Sequence, residues 1–254
     1  MRIIDVQLNK DRLLAISDKE RTLFLAFGHV ANELNALTKM LYWSGSAPIR
    51  NDAEARGQNT ISLFLIRLLA GKLNESWELV RTNFFGNALS RTYAPKLDDK
   101  GLKALESLKQ YFSKNNVVHE IRNNFAFHYS PAETAAVLSD VDEELHVYMQ
   151  KDIVPNNLFA FSEAVLAKAL LVLLKKMGMS NSLEDLLGEL LEIAARFAEL
   201  IDSIMFAIIN QHGKELRMGS PQDVHFDQLQ DFQSVTLPWF TDTSKINEVS
   251  KDSD

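Results

Sequence analysis

Residues 183–208 read LEDLLGELLEIAARFAELIDSIMFAI, and the spacing within them sets the class of fold. Leu183, Leu187, Leu190, Ala194, Phe197, Ile201, Ile204 and Ile208 recur by fours and threes, the period of a helix that buries one long seam. Ser182 before the run, with Glu184 and Asp185 in its first turn, is a helix start. Upstream, residues 159–177 form a second apolar helix whose end is marked by Lys175 and Lys176 in the last turn and Gly178 after it. Its apolar run, 164–174, is about half of what a membrane span needs and contains Lys168, so it reads as buried in protein.

The same period recurs towards the N-terminus. Ser17 and Glu20 make a capping box for a helix over 17–43, with Leu23, Phe27, Val30, Leu34, Leu37 and Leu41 on one stripe. A helix follows within 52–80, interrupted by the weak point Gly71, and a connector spans 84–95. Asp98 or Asp99 caps a third helix carrying Leu102, Leu105, Leu108 and Phe112. Ser130-Pro131-Ala132-Glu133 opens another short helix. Residues 144–154 read as a small hairpin or an irregular excursion. The expectation is an all-α protein: an irregular or extended lead-in at 1–16, a multi-helix up-and-down bundle at 17–211, and an irregular tail at 212–254, largely disordered, with scattered apolar anchors such as Leu229, Phe232 and Trp239.

Composition narrows the chemistry. With 254 residues and 46% hydrophobic content the chain can bury a sizeable core. It has no cysteine, which excludes disulfides, thiolate catalysis and cysteine-based zinc sites. The net charge of −7 argues against non-specific nucleic-acid binding, which depends on phosphate neutralisation, although a local basic groove is compatible with it. Met1 to Leu14 lacks the continuous apolar core of a signal peptide, so a cytoplasmic location and no membrane partner are expected. The six histidines are scattered without metal-ligand spacing, and phosphate-binding glycine loops are absent, so neither a metal nor a cofactor is expected.

Polar chemistry concentrates in residues 119–129, HEIRNNFAFHY. On a helix Ile121, Phe125 and Tyr129 form an apolar stripe, with Asn124 and His128 beside it and Arg122 on its far edge. Arg122 and His128, six residues apart, lie roughly 120° apart and about 9 Å along the axis of a straight helix, too far to grip one group from one side. Three solutions are open: a distorted helix, a groove completed by a neighbouring helix, or a second copy of the chain.

Arg122-Asn123, four residues, then His128 resembles the Arg-x4-6-His signature of the HEPN superfamily, in which a polar residue, often Asn, follows the Arg. HEPN domains are small helical bundles. Many are metal-independent ribonucleases of toxin, abortive-infection and other defence systems, and others are non-catalytic binding modules. The resemblance implies a HEPN-like bundle over about 17–210 with extra C-terminal helices, a symmetric homodimer, RNA as substrate, and an antitoxin or regulatory protein as partner. It also implies a catalytic set of Arg122, Asn123 and His128. Metal-free RNA cleavage needs a base for the ribose 2′-hydroxyl, an acid for the leaving oxygen and positive charge at phosphorus. His128 would be the acid or base, since an imidazole titrates near neutrality, and Arg122 the phosphate-stabilising cation. His119, one turn before Arg122, and Glu75 are supporting candidates. His29, Asn32, Glu33, Asn35 and Lys72 are further candidates to line a cleft facing the motif. The alternative is a helical interaction or nucleotide-binding module that uses the same residues at a dimer interface.

Overall fold

A computed structural model describes residues 3–127, 131–141, 144–150, 154–179, 182–216, 220, 222–224 and 229–242. The described residues form nine α-helices: α1 (Lys10–Ala15), α2 (Asp18–Gly45), α3 (Asp52–Leu79), α4 (Leu89–Tyr93), α5 (Asp99–Phe112), α6 (Val117–Ile121), α7 (Pro131–Ala136), α8 (Ala160–Lys176) and α9 (Leu183–Gln211). One two-stranded antiparallel ribbon joins β1 (Ile3–Asp5) to β2 (Gln222–Val224), with Ile3 opposite Val224 and Asp5 opposite Gln222. The protein is all-α in class. Among the described residues no helix is long and apolar enough to cross a membrane.

Helix starts follow local capping chemistry. Ser17 accepts the Glu20 N–H at 3.3 Å and donates its hydroxyl to Glu20 Oε2 at 2.7 Å. Ser182 accepts from the N–H groups of both Glu184 and Asp185, and Asp98 from that of Gly101. Each satisfies an amide that has no partner within its helix. At the far end of α8, Gly178 takes a φ of 72°, its N–H bonds to Lys175 O and that of Met179 to Leu174 O. This is a Schellman closure, and the left-handed glycine permits it.

Helix α9 lies at the centre, packed against α5, α2 and α3. Its fully or nearly fully buried residues are Leu186, Leu190, Ile193, Ala194, Phe197, Leu200, Ile201, Ser203, Ile204, Ala207 and Ile208. The buried arc is therefore wider than a single seam, because the helix has neighbours on several sides. At its start the buried edge runs through Leu186, while Leu183 and Leu187 stay partly open beside α8.

The segment read as a connector at 84–95 is part of the core. Helix α3 continues into a π-helical turn, Val80–Phe85, then α4 and a 3₁₀ turn, Ala94–Lys96. Phe84 and Tyr93 are fully buried within it. Trp77 stacks on Phe112 with centroids 4.9 Å apart and meets the edge of Phe85. Burying these rings outweighs the weak local helix signal of the segment. Residues 144–150 form an irregular excursion, closed onto the approach to α8 by one antiparallel bridge between Tyr148 and Leu158. The 1–16 lead-in carries β1 and α1.

Part of the C-terminal segment is docked. Phe232 packs on Tyr42 and Trp43 at the end of α2, and its carbonyl accepts from Trp43 Nε1 at 3.2 Å. Asn156 and the Thr241 backbone exchange two hydrogen bonds. Trp239 covers Gly57 so closely that a Cβ there would meet it at 2.6 Å. The last dozen residues lie outside the described set.

Two contacts fix how the helices meet. At the first, Ser203 of α9 donates to Asp98 Oδ1 at 2.9 Å and accepts from the Asp98 N–H at 3.1 Å, and Gly101 sits directly over Ser203. At the second, Tyr93 of α4 donates to Glu20 of α2, and His212 Nε2 lies 3.6 Å from the same carboxylate. Burial works to raise the Glu20 carboxyl, but the hydrogen bonds from Tyr93 and Ser17 and the His212 charge hold it below its ordinary value of 4.5.

A Cβ at Gly101 would run into Ser203 Cβ and Oγ. Gly101→Ala is therefore expected to destabilise the fold by about 2 kcal/mol through overpacking. Gly188→Ala on α9, where a Cβ meets nothing within 4 Å, should stabilise it by about 0.5 kcal/mol through lost backbone freedom in the unfolded chain. Urea unfolding midpoints measure both. Ionised Glu20 stabilises the fold above pH 4.5, and that contribution is lost as the pH falls through its lowered folded-state value. Glu20→Gln should abolish this part of the acid dependence of unfolding.

Candidate functional site

Asn116 starts the motif helix. Its side chain accepts the His119 N–H at 2.9 Å, and it is buried. Val117, Val118 and Ile121 then pack into the core against α3. At Arg122 the α-helix gives way to a π-helical turn, Arg122–Ala126, in which the wider i→i+5 hydrogen-bonding replaces the regular pattern. The helix is thus distorted over 122–126, while His128, whose approach to Arg122 was in question, lies outside the described residues. Ile121 and Phe125 are buried, and Asn124 Nδ2 donates to the Glu120 carbonyl at 2.9 Å.

Gly71 lets this turn lie close to α3. A Cβ at that position would come within 2.5 Å of Phe127 Cε2 and 3.1 Å of Ala126 Cβ. The glycine thus marks a close approach between helices, a tertiary reason for what in sequence is an internal weak point.

The polar side chains converge on that contact. Arg122 Nε and Nη2 each lie 3.0 Å from Glu75 Oε1 on α3. Arg122 Nη1 donates to Asn123 Oδ1 at 3.1 Å. Asn123 Nδ2 donates to His119 Nε2 at 2.9 Å, and His119 Nδ1 lies 3.3 Å from Asn74 Oδ1, also on α3. All four contacts are satisfied in one sense of donation when the imidazole carries its hydrogen on Nδ1. The chain Arg122→Asn123→His119→Asn74 is anchored on α3 at both ends. Arg122 donates hydrogen bonds through Nε and Nη1, and Nη2 adds to the ion pair with Glu75.

The strip faces solvent. His119 and Glu75 are exposed, and the Arg122 side chain is 34% exposed, so its ion pair is screened and the guanidinium is reachable. A second polar group adjoins it along α3: Lys72 donates to Glu33 of α2 at 2.6 Å, and His29 Nε2 lies 3.5 Å from that carboxylate. Lys72 and Glu75, three residues apart, are neighbours on the α3 surface, so charge alternates from Glu33 to Arg122. Asn32 and Asn35 are exposed. His128 and Tyr129 lie outside the described residues. Among the described residues no group of three or more His, Asp or Glu side chains is placed to hold a metal ion.

The structure thus brings Arg122, Asn123, His119 and Glu75 together and adds two residues that sequence reasoning did not single out. Asn116 follows the end of α5 and reads there as a terminator, yet an Asn three residues before His119 is also a capping signal. Asn74 adjoins the buried Leu69–Leu73 stripe, where a buried amide requires a hydrogen-bond partner. In comparison with known proteins, no family model, curated protein or solved structure matches the chain.

Replacing Asn116 by Ala removes the cap that sets the start of the motif helix. We expect a loss of about 1 kcal/mol in unfolding free energy. Amide hydrogen exchange should accelerate first at His119 and Glu120, ahead of the rest of the bundle.

Proposed function

We propose that the chain is a metal-independent endoribonuclease of the HEPN kind, with Arg122, Asn123 and His128 as its catalytic set. The observation that carries this reading is the anchored hydrogen-bond chain on a solvent-facing π-helical turn: it holds a part-exposed guanidinium in one orientation. Strained or irregular helical turns of this kind are concentrated at functional sites.

Arg122 binds a non-bridging phosphate oxygen and stabilises the charge that develops at phosphorus. The substrate 2′-oxygen attacks phosphorus as its proton passes to one imidazole. The bond to the 5′-oxygen breaks as a second imidazole donates a proton to it. One copy of the motif supplies one His128, so two copies facing each other in a homodimer provide base and acid together. Asn123 keeps the guanidinium from swinging away, His119 braces Asn123, and Glu75 sets the angle of Arg122 from α3. The role that goes with this chemistry is that of a cytoplasmic toxin or defence effector, held in check by an antitoxin or regulatory protein.

One feature favours a second reading. The Glu75 carboxylate already compensates much of the Arg122 charge, which suits a helical interaction or nucleotide-binding module whose motif surface forms a dimer interface.

The two readings separate by substitution. The full chain should cleave single-stranded RNA in the presence of EDTA, and His128→Ala and Arg122→Ala, with far-UV circular dichroism unchanged, should each lower the rate by about 10²-fold or more. No cleavage by the wild type, or a rate that survives His128→Ala, defeats the ribonuclease reading. Under the module reading, Arg122→Ala shifts the protein towards monomer on size-exclusion chromatography without any RNA cleavage to lose.

A further inference from the structure

A second site lies on the other side of α3. Between α3, α8 and the first turns of α9 is a cavity of about 350 Å³, open to solvent on one side. Its body is apolar: Leu63 and Ile66 from α3, Ala164 and Ala167 from α8, and Leu187 from α9. The alanines keep α8 from filling the space, and Leu183 and Leu187 are partly exposed beside it, whereas the seam is buried from Leu190 onward.

One carboxyl stands on this wall, the part-exposed Glu163. Its inner oxygen, Oε2, is sealed from water and accepts no hydrogen bond. Arg67 Nη2 stands 3.5 Å away, near enough to attract but not bonded to it. A buried acceptor left without a donor costs on the order of 1–3 kcal/mol, more for a charged one. Burial holds the Glu163 carboxyl above the usual carboxylate range, against the opposing pull of Arg67. Charge on the rest of the lining leans the same way: Arg56 is bonded to Asp52, and Glu184 adds a second carboxylate from α9.

We propose that this cavity is a binding site for a small organic amine, a molecule with an aliphatic or aromatic body and a protonated nitrogen that hydrogen-bonds the Glu163 carboxyl. The size follows from volume: a cavity of about 150 Å³ holds one benzene ring, so this one accepts roughly a dozen heavy atoms. The apolar body displaces water from Leu63, Ile66 and Leu187, and the ammonium bonds the Glu163 carboxyl from the cavity side, where the side chain is 25% exposed. The site is independent of the Arg122 strip, and its occupancy is measured without any RNA.

Tryptamine is a suitable probe, with indole-3-propionate as its counterpart of opposite charge. Titration calorimetry on the full chain should show saturable one-to-one binding of tryptamine with a matching rise in Tm, and indole-3-propionate on the order of tenfold weaker or undetectable. Glu163→Gln should weaken tryptamine by about tenfold, the loss of one charge-assisted hydrogen bond. Ala167→Leu, which fills the cavity from a partly exposed position, should abolish binding, and Ala164→Leu replaces it if that variant does not fold. The proposal is overturned by the absence of saturable tryptamine binding at millimolar concentration, by equal affinity for amine and acid, or by affinity unchanged in the Glu163 and cavity-filling variants.

Discussion

Everything in this molecule leans on the burial of α9. A helix of 29 residues with neighbours on several sides cannot choose its rotation freely, since α5, α2 and α3 each claim part of its circumference. Where α5 begins, the Ser203 hydroxyl and the absence of a side chain at Gly101 bring two backbones together, and the Asp98 carboxylate is at once the cap of one helix and the acceptor for the other. This contact ties a local event, the start of a helix, to a tertiary one, its seat on the core. The placement of α6 is then a matter of geometry: α5 ends, Asn116 turns the chain, and the motif residues arrive beside α3 at the one point where Gly71 lets them lie flat.

Much of this architecture was readable from residues alone, because the forces involved are local. Ser17, Asp98 and Ser182 announce helix starts through amides two or three residues away, and Gly178 announces an end because only a left-handed residue closes that turn easily. The segment around Phe84 and Tyr93 was not readable in the same way. Its π-helical and short α-helical turns are imposed by the burial of those rings under α2 and α9, and Ala88 accepts a φ of 60° there. The extended lead-in at β1 was legible, but its pairing was not, since the partner strand has three residues and lies far off in the chain. The width of the α9 arc was also hidden, as a stripe drawn by fours and threes describes a helix with one neighbour rather than several.

The candidate site divides along similar lines. A guanidinium, an amide and imidazoles in one short stretch stand out in any sequence, and helical spacing on α3 points to Glu75. The order of the chain from Arg122 to Asn74 depends on the π-helical turn, which rotates Asn123 between its two neighbours, and no short-range pattern announces such a turn. Asn74 is legible only in hindsight: a buried amide next to a leucine stripe needs a partner, but the sequence does not say which helix supplies it.

The position of α9 along the chain has a consequence for biogenesis. On the ribosome α2, α3 and α5 emerge well before the helix that covers their apolar faces, so the nascent chain carries an uncovered hydrophobic surface until residues near 208 have cleared the exit tunnel. Pairing of β1 waits longer still, for Gln222–Val224. The core of the bundle is therefore completed only late in synthesis, when α9 can cover the faces of the helices that precede it.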